Sequence, residues 1–302
     1  MRGWISGGPL VAGTFFLAAC VPNPQAAEPE PPVQVVQPIS VPSAAPAPAG
    51  PSTFLYEGQL EQGGWIRGQV PAGTREARLG DQVLALDGEG RFFAGLDRDA
   101  PASALLFASL ADGRIIESPL AVRPRDWQIE RVNIARRTGG PSEAFMRIRA
   151  PELARIGAAR QVRSGSEGWR QDFIWPATGR ISGRFGSQRI YRGEPGAYHS
   201  GLDIARPTGT PFVAPADGVV VLAARQDFSL EGKLLIIDHG QGLNSAFLHA
   251  DSLAVEEGQT VRQGQLLGTI GSTGRSTGPH LHWGLKWQDA RLDPLLFLPP
   301  MP

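Results

Sequence analysis

The 302-residue chain has five histidines, His199, His239, His249, His280 and His282, and none precedes residue 199. Two of them stand one residue apart in Gly278-Pro279-His280-Leu281-His282-Trp283. In an extended strand that spacing puts both imidazoles on one face and turns Leu281 to the other. Upstream, His199-Ser200-Gly201-Leu202-Asp203 sets an imidazole and a carboxylate four residues apart, an even spacing that lets them share a face in extended chain. Taken with His282, they offer two nitrogen ligands and one oxygen ligand, which suits zinc and leaves a fourth position for water. Such an open site lowers the pKa of its water toward neutrality and polarises a carbonyl. A His-x-x-x-Asp alone is common; its weight comes from the residues around it.

The elements that must carry these residues read as strands. Gly218–Ala223, Lys233–Asp238, Asn244–His249, Gln265–Ile270 and His280–Lys286 are rich in β-formers and divided by glycines, which predicts an antiparallel sheet over residues 176–298. Gly258 to Gln265 brackets Val261 with two glycines and suits a tight connection. His239, in Asp238-His239-Gly240, reads as a strand-end turn residue, and Asp217 beside Gly218 as a turn residue and not a fourth ligand.

Over the whole chain the composition is ordinary for folded protein, 41% apolar and 19% charged. Lys plus Arg equals Asp plus Glu at 29 each, so the global charge makes no case for nucleic acid or an anionic membrane surface. Residues 1–20 read as an export signal, with Arg2 as a basic start and an uncharged run from Pro9 to Ala19. The only cysteine, Cys20, closes Leu17-Ala18-Ala19-Cys20, which resembles the lipobox of bacterial lipoproteins and implies lipidation there. Val21 after it resembles outer-membrane sorting, on the periplasmic face. Residues 21–52 hold ten of the 27 prolines and read as a disordered tether.

Residues 53–122 alternate short apolar runs with turn signals and predict a small β-sandwich, Ig-like, with strands at Phe54–Leu60, Trp65–Val70, Val83–Leu86, Arg91–Leu96, Ala104–Leu110 and Arg114–Leu120. Residues 123–175 form an arginine-rich, partly helical linker: eleven arginines face five acidic residues over Arg123–Arg170, and a helix is expected from Pro151 through Arg160 with proline and Glu152 in its first turn. The arginines read as a solvated helix face more than as a binding stripe. The fold class is thus mainly β, with two β-rich domains about a partly helical linker.

The three stretches His199–Asp203, Phe247-Leu248-His249 and Gly274–His282 together resemble, in order, the motifs of lysostaphin/LytM-type zinc metalloendopeptidases of the duplicated-hybrid-motif fold. Flanking pieces such as Gly183-Arg184-Phe185-Gly186 and Asp293-Pro294 agree with that layout, over residues 176–298. The resemblance implies hydrolysis of the stem-peptide cross-links of peptidoglycan, with zinc on His199, Asp203 and His282, a zinc-bound water as nucleophile, and His249 and His280 left for catalysis. The family often has tyrosine where Phe247 stands, so any bond from that hydroxyl to substrate is absent here. Relatives with broken motifs activate cell-wall amidases, so an activator of amidases or a wall-binding protein is the alternative, with amidase or cell-division proteins as candidate partners. The segment Arg123–Arg170, placed between two domains, is expected to lie against the groove and restrict access to it.

Overall fold

The computed structural model describes residues 50–135 and 140–302. The export signal, Cys20 and nearly all of the tether lie outside the described residues. Among the described residues no helix is long and apolar enough to cross a membrane. The fold is mainly β, in sheets that are antiparallel apart from one parallel strand pair.

Seven strands come first: β1 (Leu55–Gly58), β2 (Trp65–Gln69), β3 (Thr74–Leu79), β4 (Gln82–Val83), β5 (Arg91–Gly95), β6 (Ser103–Leu110) and β7 (Ile115–Ala121). They form a three-stranded sheet, β1-β2-β5, and a four-stranded sheet, β4-β3-β6-β7. Strict alternation builds the second: Leu106, Ala108 and Leu110 enter the core while Leu105, Phe107 and Ser109 face the other way. Ile66, Phe92 and Ala94 face the same core from the first sheet. Two expectations are corrected here. Thr74–Leu79 is a strand despite Arg75, Glu76 and Arg78, because Ala77 and Leu79 point inward between the charges. The expected strand Val83–Leu86 leaves its ladder after Val83.

The arginine-rich segment contributes β8 (Ile129–Val132) and the helix α1 (Glu143–Gln161). The helix begins eight residues before Pro151, because the Ser142 hydroxyl caps it by accepting from the Phe145 N–H at 3.2 Å. Pro151 therefore lies inside the helix and not in its first turn. Interior proline costs about 3 kcal/mol, and contacts on either side offset that cost. Arg149 donates to Glu231 at 2.5 and 2.7 Å and to Glu152 at 3.0 Å, and Glu152 accepts from the N–H and hydroxyl of Ser229 at 2.6 Å each. These arginines are not simply a solvated face: Arg149 is buried and paired.

The remaining strands are β9 (Arg180–Gly183), β10 (Gln188–Tyr191), β11 (Glu194–Tyr198), β12 (Leu202–Ala205), β13 (Pro211–Val213), β14 (Gly218–Phe228), β15 (Gly232–Asp238), β16 (Leu243–Leu253), β17 (Thr260–Val261), β18 (Leu266–Ile270), β19 (His280–Trp287) and β20 (Ala290–Leu292). Strand β8 pairs in parallel with β10, which pairs with β11. The main sheet runs β17-β14-β15-β16-β19-β12-β9, antiparallel throughout. Strand β19 divides it into two faces. Leu281, Trp283, Leu285 and Trp287 are buried in the core, and His280, His282, Gly284 and Lys286 line the open face. Helix α1 packs on that open face through Ile156 and Ala159, against Leu222, Leu234, Ile236 and Leu248.

Candidate metal centre and active site

The register of β19 assembles the centre. Asp203 on β12 lies directly opposite His282, and Leu248 on β16 opposes His282 from the other flank. Directly opposed residues share a face, so the carboxylate and the imidazole meet on the open side of the sheet. His199 reaches them differently from the even-spacing expectation, because it precedes β12 and is not extended with it. Its backbone N–H donates to the Ser187 carbonyl at 2.8 Å, and its carbonyl accepts from the Gly186 N–H at 2.9 Å.

Three atoms converge. His199 Nε2 is 3.0 Å from Asp203 Oδ1, His282 Nδ1 is 2.8 Å from the same oxygen, and the two nitrogens are 3.1 Å apart. His199 Nδ1 is 3.0 Å from the Arg184 carbonyl, which can only accept, so Nδ1 carries the proton and Nε2 presents a lone pair. A lone pair facing a carboxylate oxygen needs a cation between them. Two imidazole nitrogens and one carboxylate oxygen are a zinc donor set, and ligands on a tetrahedral ion with bonds of about 2.0–2.1 Å stand about 3.3 Å apart. The cluster is slightly contracted from that spacing and fits the ion. Two glycines make the room: a Cβ on Gly183 would lie 2.3 Å from Asp203 Oδ2, and one on Gly201 would lie 2.7 Å from His282 Nε2.

The electrostatics follow from burial and this contact. Burial alone would raise the Asp203 pKa, but the His199 and His282 imidazoles hold it far below the usual carboxylate range. Burial pulls His199 down, and the Asp203 carboxylate outweighs it, so His199 ends above its ordinary value. In His282 burial wins over the same carboxylate and the pKa falls.

His249 and His280 stand beside the cluster, their rings 5.0 Å apart, with His280 Nε2 3.8 Å from Asp203 Oδ1. Each has its Nδ1 at 2.8 Å from a backbone carbonyl, Thr273 for His249 and Gly278 for His280. Each therefore donates from Nδ1 and keeps Nε2 as a free base. Burial lowers the His249 pKa, the Thr273 bond opposing it only in part. Simple alternation along β16 would send His249 into the core beside Phe247. A bulge redirects it: between the pairs Lys233–Ala250 and Leu235–Phe247, Leu234 alone faces Leu248 and His249. His249 takes φ of 63°, a left-handed conformation costly for a side-chain-bearing residue.

Phe247 is placed by the same strand on the opposite face. It is fully buried, its ring parallel to Trp283 at 6.3 Å and near Phe212 at 5.4 Å. The expectation that Phe247 withholds a hydroxyl from substrate is corrected, since its ring packs in the core. His239 is also buried there, and it is more than a turn residue. Its Nδ1–H donates to the Asp217 carbonyl at 2.7 Å, and Nε2 accepts from the Ser245 hydroxyl at 2.7 Å, which in turn accepts from Trp283 Nε1–H at 3.1 Å. Burial lowers its pKa to about 4. Asp217 accepts from the Gln263 N–H at 2.7 Å and takes no part in the His199–Asp203–His282 cluster.

Residues without a motif complete the site. Thr273 holds His249 with its carbonyl, while its hydroxyl donates to the Ala250 carbonyl and accepts from the Lys233 N–H, both at 2.9 Å. The glycines flanking it in Gly271-Ser272-Thr273-Gly274 were the available signal. A cavity of about 410 Å³ runs from His282 along the open face, lined by Arg149, Ile156 and Arg160 of α1 and by Arg291 of β20. The arginine-rich segment thus forms a wall of the groove.

The Peptidase family M23 model matches residues 197–294, which hold all five candidate site residues. The chain is 40% identical over 107 residues to the peptidoglycan DD-endopeptidase ShyA of Vibrio cholerae, covering 35% of this chain and 24% of that one. It is 38% identical over 132 residues to a Lipoprotein NlpD/LppB homolog of Pseudomonas aeruginosa, covering 44% and 40%. The chain therefore spans well under half the length of these curated relatives. Among solved structures, a peptidase M23 from Pseudomonas aeruginosa superposes with a TM-score of 0.61 at 29% identity, over 79% of this chain and 95% of that one.

Proposed function

We propose that the protein, whose residues 197–294 match the Peptidase family M23 model, is a zinc metalloendopeptidase that hydrolyses the peptide cross-links of peptidoglycan. The observation that carries the reading is the convergence of His199 Nε2, Asp203 Oδ1 and His282 Nδ1 within 2.8–3.1 Å, beside two imidazoles whose Nε2 atoms are unspent. ShyA is named for an activity of this class. His199, Asp203 and His282 would hold the ion; when bound, zinc would supply Lewis acidity that acidifies water and polarises a carbonyl.

The chain's own residues do the proton work. His249 and His280 each have the tautomer fixed by a backbone carbonyl, which leaves Nε2 to accept a proton. One Nε2 takes the proton of the attacking water, and the resulting imidazolium donates to the oxygen on which charge develops. The proton then passes to the departing amine. Asp203 contributes charge and aim, since its carboxyl stays ionised across the working range and touches both ligand histidines.

The complete donor set supports an enzyme over an activator of amidases. Export, lipidation at Cys20 and a proline-rich tether put the enzyme at the periplasmic face of the outer membrane in this proposal, with the sandwich at residues 53–122 and the linker at 123–175 packed in one compact unit with the peptidase region. The test is zinc content and peptidoglycan digestion products for the chain and its variants. His282→Ala is expected to lose both metal and cleavage; a His282→Ala protein that kept full wall-related activity in cells would sink the enzyme reading.

A further inference from the structure

The cavity between α1 and the open face is lined by three arginines, of which Arg149 is paired with Glu231 while Arg160 and Arg291 have no ion-pair partner among the described residues. Its floor is apolar, from Leu234 and Leu248, and one end is His282. Arg160, in the last turn of α1, and Arg291, on β20, line it. The Arg160 guanidinium has no hydrogen-bond or ion-pair partner among the described residues, whereas Arg149 on the same helix is matched by two carboxylates. Burial, and Arg291 nearby, lower the Arg160 pKa, and the Glu231 carboxylate opposes them only in part. The Arg291 guanidinium lies over the Tyr198 ring at 5.5 Å and donates to its hydroxyl at 3.4 Å, and meets no carboxylate among the described residues. Two guanidiniums lining one partly dry groove repel, and a carboxylate between them offsets that repulsion and supplies the acceptor that Arg160 lacks.

We propose that Arg160 and Arg291 form a carboxylate-binding subsite beside the metal centre, through which the linker helix holds the acidic peptide of the substrate. This rests on the peptidoglycan-hydrolase reading, and the peptides of that polymer carry free carboxylates. It differs from a helix that closes the groove. Arg149 and Glu152 clamp α1 to Glu231 and Ser229, which suits a fixed wall.

The experiment compares a cross-linked muropeptide dimer bearing free carboxylates with its amidated analogue on the full, zinc-loaded chain. Arg160→Gln is expected to raise KM about tenfold for the free-carboxylate dimer, with kcat within about twofold and the amidated dimer unaffected. Arg291→Gln gives the same signature from a different element, and Arg160→Lys restores part of the loss. Equal losses on both dimers overturn the subsite, and so does a higher kcat in Arg160→Gln, which marks a lid. Calorimetry of both dimers on a His280→Ala chain separates this from the hydrolase reading. A preference for the carboxylate dimer that Arg160→Gln abolishes supports the subsite even where the native chain cleaves neither, and the lack of any preference overturns it.

Discussion

The two faces of the main sheet treat the same residue type in opposite ways. On the core face, His239 uses both ring nitrogens, donating to Asp217 and accepting from Ser245, and water does not reach it. On the open face, His249 and His280 each set Nδ1 on a backbone carbonyl and leave Nε2 without a hydrogen bond, and His199 sets Nδ1 on a carbonyl and turns the lone pair of Nε2 toward Asp203 and His282. The side chain is the same; what differs is whether a lone pair is left over. A histidine with both nitrogens matched is a structural residue however polar it is, and one with a single carbonyl partner is an aimed base or ligand.

Removing an open-face ligand should produce the largest effect. His199→Ala takes away one of three donors, so zinc content measured by atomic spectroscopy is expected to fall to background and cleavage with it. His280→Ala comes next: the metal stays, and cleavage drops about 10²- to 10⁴-fold, the range for a lost acid–base group. A His280→Ala protein that lost its zinc would show that the division between ligand and base is wrong.

Acid should act on the core face in a way the open face does not explain. The folded His239 pKa is about 4, below the ordinary 6.5, so the unfolded chain binds its proton first. Its contribution to stability is complete above pH 6.5 and is lost as pH falls toward 4. At pH 5 the loss is about 2 kcal/mol relative to pH 7.5. Urea unfolding at both pH values should show this loss in the native chain and its near absence in His239→Gln, a difference in which the open-face groups cancel. Parallel curves for the two proteins would mean that His239 is not buried neutral.

The same contrast explains what was legible in the sequence. His280 and His282 could be placed on one face because β19 is a regular strand with period two, and the alternating Leu281 and Trp283 marked its core side. Asp203 opposite His282 was legible only as a motif, since strand register depends on partners remote in the chain. His249 could not be aimed from its position, because a bulge breaks the alternation that would have turned it to the core face. The start of α1 was missed for a related reason: the Ser142 cap and the Arg149–Glu231 pair override the local signal of Pro151. Spacing predicts side-chain direction where the backbone is regular, as at His280 and His282, and fails where it is not, as at His249.

The smallest effect sharpens the comparison most, because it touches both faces at once. Ser245 joins His239 to Trp283, and Trp283 adjoins His282 on β19. Ser245→Ala leaves His239 Nε2 and the Trp283 N–H unmatched in the core, at a cost of about 1–3 kcal/mol in unfolding free energy. The substitution removes no atom from the open face, and the backbone ladders between β16 and β19 and between β19 and β12 stay paired. Cleavage by the folded protein and its zinc content are therefore expected within about twofold of native, a range set by the near-additivity of sites without shared partners. If zinc affinity falls in step with stability, the core network positions His282 through β19, and the two faces are one machine.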